Sequence, residues 1–176
     1  MRGYDYTGSG GYFITICTMN REHLFGQVLD GEMRLNDFGN IVSQEWTRAA
    51  EVRKEITLDE FVVMPNHIHG IIIINNNDIS THFRDPIGAT RRVAPTTNEI
   101  TPPTIANGPI PRSIGAVIGQ FKSITTKRIN ALREFRSAVW QRDYYEHVIR
   151  DYNDLNRIRE YILSNPRQWD MDTENK

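Results

Sequence analysis

The run His67-Ile-His-Gly-Ile-Ile-Ile-Ile74 constrains this chain more than any other stretch. In an extended segment, alternate side chains point to opposite faces. Residues 68, 70, 72 and 74 then share one face, and 67, 69, 71 and 73 the other. Beyond the histidines both faces are isoleucine. β-Branched residues at this density favour a strand, and a strand apolar on both faces belongs in the middle of a sheet covered on both sides.

The flanking segments supply the rest of such a sheet. "YFITICTM" (12–19) and "ITLDEFVVM" (56–64) read as strands. "MPNH" is a turn, because proline presets φ and asparagine tolerates the next position. It makes 56–64 and 67–74 an antiparallel pair. "DGEM" closes a small hairpin. Asn36 or Asp37 caps a helix through Ile41, Val42, Trp46 and Ala49 or Ala50. Ile114, Val117, Ile118, Phe121, Ile124, Ile129 and Leu132 recur at helical spacing. "AVWQR" (138–142) is short and strand-like. "DYNDLNRIREYILSNP" (151–166) is a helix capped by Asp151 or Asn153 and ended by Pro166. The order β-α-β-β-α-β-α predicts an α+β fold: a ferredoxin-like βαββαβ sandwich with an added C-terminal helix.

At 176 residues the chain suits one domain. Six of its eight prolines fall between 75 and 112, where apolar periodicity stops, so residues 76–111 are expected to be a flexible insertion within a single 1–176 domain. The one cysteine, Cys17, excludes a disulfide framework and a cysteine-based zinc cluster. No run approaches a membrane span and the N-terminus has no apolar leader core, so a cytoplasmic protein without membrane contact is expected. The net charge of −1 hides an asymmetry. Residues 112–136 carry Arg112, Lys122, Lys127, Arg128, Arg133 and Arg136 against Glu134 alone, whereas 30–60 is acidic. Charge alone divides evenly between a solvated helix face and a phosphate-binding one.

His67 and His69 point the same way, about 6–7 Å apart along the strand. They can converge on one metal ion, or hydrogen-bond to backbone and water, and spacing alone favours the second. On the last helix, Tyr161 and Asn165 lie one turn apart on the shoulder of the stripe formed by Leu155, Ile158 and Ile162. A tyrosine and a carboxamide opposite a histidine pair also suit a nucleophile held near a metal.

Five stretches carry a family resemblance: "GYFITICT", "LDEFVVMPNHIHGIIII", "FKSITTKRIN", "VWQRDYYEHVIR" and "RIREYILSNP". Together they resemble the REP-associated tyrosine transposases, relatives of the single-tyrosine insertion-sequence transposases. "HIH" is similar to the HUH motif (histidine, bulky hydrophobe, histidine) of single-strand DNA endonucleases. The resemblance implies the ferredoxin-like HUH fold and a divalent ion, Mg2+ or Mn2+, on His67, His69 and Asn165. It implies Tyr161 as the nucleophile, attacking DNA to leave a 5′-phosphotyrosine. The partner would be single-stranded DNA with a REP-like hairpin, bound by a monomer or homodimer. With the resemblance, Lys122, Lys127, Arg128 and Arg142 become phosphate contacts and Tyr145 a base-stacking residue. Two other readings stay open: a non-catalytic single-strand nucleic-acid-binding module, and a metal-dependent phosphodiester hydrolase using water.

Overall fold

The computed structural model describes residues 10–75 and 112–175. The expectation of a flexible 76–111 insertion lies outside the described residues. β1 (Gly10–Cys17) is followed by a hairpin of β2 (Gly26–Leu29) and β3 (Glu32–Leu35). Its turn is Asp30-Gly31, both at positive φ (53° and 75°), the primed geometry that suits a tight hairpin. Helix α1 (Asp37–Val52) starts at Asn36, whose side chain accepts from the Gly39 N–H. Strands β4 (Ile56–Val63) and β5 (His67–Ile74) then pair across the Pro65-Asn66 turn. Helix α2 (Ile114–Leu132) is capped by Ser113. Strand β6 (Tyr145–Ile149) leads into α3 (Tyr152–Ser164), capped by Asp151.

The sheet order is β4-β5-β1-β6, antiparallel throughout. This is the strand order of the ferredoxin-like sandwich, and β5 sits in the interior as its two apolar faces require. Strand alternation divides the core. Tyr12, Ile14, Ile16, Ile68, Ile72 and Ile74 pack under α1 and α2. Phe13 and Ile71 face the other way, onto Ile158 and Ile162 of α3.

Gly70 interrupts the β5 isoleucines for a steric reason. A Cβ there would lie 2.3 Å from Cζ2 of Trp46, which is buried on α1. Gly70→Ala is therefore expected to destabilise the fold by about 1–3 kcal/mol through overpacking. An unchanged urea midpoint would show that Trp46 can move aside.

Two expectations need correction. The last strand of the sheet is β6 at 145–149, not 138–142. The earlier segment runs beside the end of β1 but forms only one bridge, Thr18 to Trp140. Trp140 turns into the core instead, its Nε1–H donating to Thr125 Oγ1 at 2.8 Å. An edge strand tolerates Glu146 and His147, so β6 lacks the apolar density that marks a strand. The chain also does not leave its helical path at Pro166. It continues as a 3₁₀ turn, Asn165–Met171, with Pro166 in the first turn where a missing N–H costs little. That turn brings the C-terminal residues back to the start of β5.

Candidate active site

Strand register builds the centre of the site. His67 pairs with Cys17 and His69 with Thr15, so both imidazoles emerge on the α3 side at one end of the sheet. Both are buried, and their Nε2 atoms lie 3.0 Å apart. Each ring is fixed from behind. Thr15 Oγ1 lies 2.8 Å from His69 Nδ1. Asn66 Oδ1 lies 2.8 Å from His67 Nδ1. The Asn66 amide nitrogen donates to the carbonyls of Glu174 and Arg21, which fixes its orientation. Its oxygen must therefore accept from His67, leaving the His67 Nε2 lone pair pointing at His69. Trp169 covers the outer side of His67, with ring centroids 6.0 Å apart.

Helix α3 supplies the tyrosine. Tyr161 Oη is 3.2 Å from His69 Nε2, and the residue is 39% exposed. One turn on, Asn165 is buried; its Nδ2 donates to Asp172 Oδ2 at 2.8 Å, while its Oδ1 has no partner. The Asp172 side chain is 2% exposed, with Oδ2 3.8 Å from His67 Nε2. His67, His69 and Asp172 each place a ligand atom within 4.8 Å of the others. A cleft of about 170 Å³, lined in part by Tyr161, Asn165, Gln168 and Asp172, opens the site to solvent.

This donor set fits a divalent cation. Two nitrogens each about 2.1 Å from an octahedral ion and at right angles to it lie about 3 Å apart. The two Nε2 atoms have that separation. An orphaned, buried Asn165 Oδ1 and a buried carboxylate beside them are the neutral and charged oxygens that Mg2+ or Mn2+ prefers. The electrostatics agree. Burial holds both imidazoles neutral, well below their ordinary range, with Asp172 opposing this at His67. Burial, then the charges of Asp172 and Glu174, pushes the Tyr161 phenol up to about 12.

Sequence reasoning brought His67, His69, Tyr161 and Asn165 to one site, and all four meet there. It missed Asp172, Thr15, Asn66 and Trp169. Thr15 follows from strand register once β1 and β5 are paired. Asp172 and Trp169 depend on the path after Pro166, which the helical pattern does not reveal.

The proposed nucleic-acid residues fall into two groups. Lys122 is half-buried, its Nζ donating to the carbonyls of Gln141, Arg142 and Asp143. Arg128 pairs with buried Glu45 at 2.6 Å and with Gln44. Both are engaged in holding the fold. Lys127 and Arg142 are exposed; with Arg136 they line a groove of about 770 Å³ between α2 and the 136–142 segment. The groove lies at the sheet end that carries the histidines, because Trp140 in its wall bridges Thr18. Tyr145 is 60% exposed and contacts Phe13 edge-on, which in turn touches Tyr161.

Among the described residues, no helix is long and apolar enough to cross a membrane. No family model matches the chain. A Haemophilus influenzae protein of uncharacterized function is 38% identical over 173 residues, spanning 98% of this chain and 88% of that protein. A second protein of that organism, named as a candidate REP-associated tyrosine transposase, is 25% identical over 162 residues, 92% of this chain and 73% of its own length. A REP-associated tyrosine transposase solved bound to a REP hairpin shares the fold, with a TM-score of 0.58 at 18% identity over 96% of this chain and 74% of that one. Sequence similarity, shared architecture and the motifs that meet around the histidine pair point the same way: the chain is similar to the REP-associated tyrosine transposases.

Proposed function

We propose that this protein is a metal-dependent single-stranded DNA endonuclease and strand transferase that cuts near hairpins through a 5′-phosphotyrosine intermediate. The observation that carries this reading is the Tyr161 hydroxyl, on a partly exposed residue that lines a cleft and 3.2 Å from one of two facing histidine nitrogens. The solved relative was bound to a REP hairpin, which motivates the same class of DNA here.

His67, His69 and Asp172, with Asn165 Oδ1, would hold Mg2+ or Mn2+. When bound, such an ion withdraws charge from the phosphate oxygens and offsets the negative charge of Asp172 and Glu174. Tyr161 provides the attacking oxygen. Its new bond to phosphorus replaces the P–O3′ bond, and the phenol proton ends, net, on the released 3′ oxygen. Because the phosphate stays esterified to Tyr161, a later 3′-hydroxyl can reverse the step and join strands without an external energy source. Thr15 and Asn66 keep the two imidazoles in place. Incubation with 5′- or 3′-labelled hairpin-bearing single strands and Mn2+, resolved on a denaturing protein gel, tests the reading. A protein-linked 3′ label is expected, on the downstream fragment, with the 5′ label released on the free upstream strand; cleavage without any covalent adduct would favour hydrolysis by water.

Lys127, Arg136 and Arg142 are proposed to take backbone phosphates, and Tyr145 a base next to the cut. Replacing the three cations with alanine removes up to three phosphate contacts. The slope of log K against log salt should then fall by about 2–3. Anisotropy titrations across salt concentrations measure it, and an unchanged slope would move the DNA to another face.

A further inference from the structure

We propose that Asp59 and Arg159 are positioning residues for cleavage, forming a clamp that sets the roll of α3 and thereby the place of the tyrosine hydroxyl. The inference rests on the reading of Tyr161 as nucleophile.

Helix α3 sits on the sheet through a small apolar contact. Among the described residues its buried members are Phe13, Ile71, Ile158 and Ile162, with Val62, Ile73, Ile149 and Leu155 at its margins. Apolar contact is non-directional, so by itself it fixes the roll of a helix weakly. The directional restraint comes from the sheet edge. Arg159 Nε and Nη2 meet Asp59 Oδ1 and Oδ2 at 2.8 and 2.5 Å, a two-pronged ion pair of defined plane. Asn156 adds a contact to Arg159 Nη1.

The sheet is shaped for this contact. The β4–β5 register shifts between Leu58 and Phe61, so Asp59 lies on an irregularity in an otherwise regular ladder. Such irregularities re-aim side chains. The Glu60 N–H also donates to Asp59 Oδ1, holding the carboxylate in its turned-out position. At the opposite edge, His147 of β6 lies 2.8 Å from Asp154 in the first turn of α3. The helix is thus tied at its start to β6 and in its middle to β4.

Helical phase makes the middle tie matter. At 100° per residue, Arg159 and Tyr161 flank the Ile158–Ile162 stripe on opposite sides. Rolling α3 on that stripe lifts one as it lowers the other. Side-chain atoms lie about 5–6 Å from a helix axis, so a roll of about 15° moves the hydroxyl by about 1.5 Å. A misplacement near 1 Å costs on the order of 10²-fold in rate.

The test compares single-turnover cleavage at saturating hairpin DNA, DNA affinity and Tm in the full chain. Asp59→Asn should slow cleavage about 10- to 100-fold while Kd stays within twofold. Asp59→Glu keeps the charge but lengthens the clamp; it should melt like the parent and still cleave at least fivefold more slowly. A merely structural pair would lower Tm and leave the rate of folded protein unchanged. Parental cleavage rates in either folded variant overturn the proposal. Tyr161→Phe is run alongside: if it cleaves, the nucleophile reading itself fails, and if it is inactive while Asp59→Asn is parental, only the clamp fails.

Discussion

Tyr161→Phe is expected to lose covalent adduct formation by on the order of 10³-fold or more, because it removes the attacking oxygen and nothing else. The phenyl ring would still lie edge-on to Phe13 and against His69, whose ring centroids are 6.0 and 5.1 Å from that of Tyr161. The lost hydroxyl is part of a half-exposed side chain, so the stability change should stay under about 1.5 kcal/mol. Binding of hairpin DNA should survive, since the basic groove is untouched. Tyr144 and Tyr145 are the controls. Tyr144 packs against the α1–α2 core and carries Lys122 over its ring at 5.5 Å. Tyr145 is exposed on β6, beside Thr15 in the strand register and edge-on to Phe13. Tyr145→Phe should keep cleavage. Peptide mapping of the trapped adduct decides: a nucleotide on the peptide bearing 144–145 would transfer the nucleophile's role to β6.

The legibility of this protein follows its periodicity. The α1, β4, β5 and α2 segments announce themselves because each buries a regular stripe or an alternating face. Their order alone implies the sheet order, and with it the end of the sheet where His67 and His69 emerge. The edge was harder to read. β6 carries Glu146 and His147 because an edge strand need not be apolar, and the more apolar 138–142 stretch drew the assignment toward a segment whose Trp140 is a core residue. The site divides in the same way. His67, His69, Tyr161 and Asn165 sit on regular elements, where spacing in sequence becomes direction in space. Asp172 reaches the centre by a 3₁₀ turn whose path is set by tertiary contacts: Trp169 against His67 and His23, Arg21 with Glu174, and the Asn66 amide on the Glu174 carbonyl. Charge counting had a similar limit. Lys122 and Arg128 look identical to Lys127 in sequence, yet the first two spend their hydrogen bonds inside the fold.

The tail residue gives the second large effect. A metal that binds only the folded protein should raise Tm, by about 2.7 kcal/mol of added stability at one hundred times its Kd. For a chain of this size that corresponds to roughly 5–11 °C. His67→Ala and His69→Ala should each abolish the Mn2+-dependent shift and cleavage together, while hairpin binding persists. Asp172→Ala separates two ligand sets. If the carboxylate is a ligand, its loss should erase most of the shift, because among the described residues it is the anionic donor grouped with the two neutral imidazoles. If Asn165 alone completes the set, Asn165→Ala should erase the shift and Asp172→Ala should leave it. The buried hydrogen bond from Asn165 Nδ2 to Asp172 Oδ2 predicts coupling between them, so the double variant should lose little more than Asp172→Ala. Differential scanning fluorimetry with and without Mn2+ reads all of these directly, and a full shift in Asp172→Ala would remove the tail from the metal site.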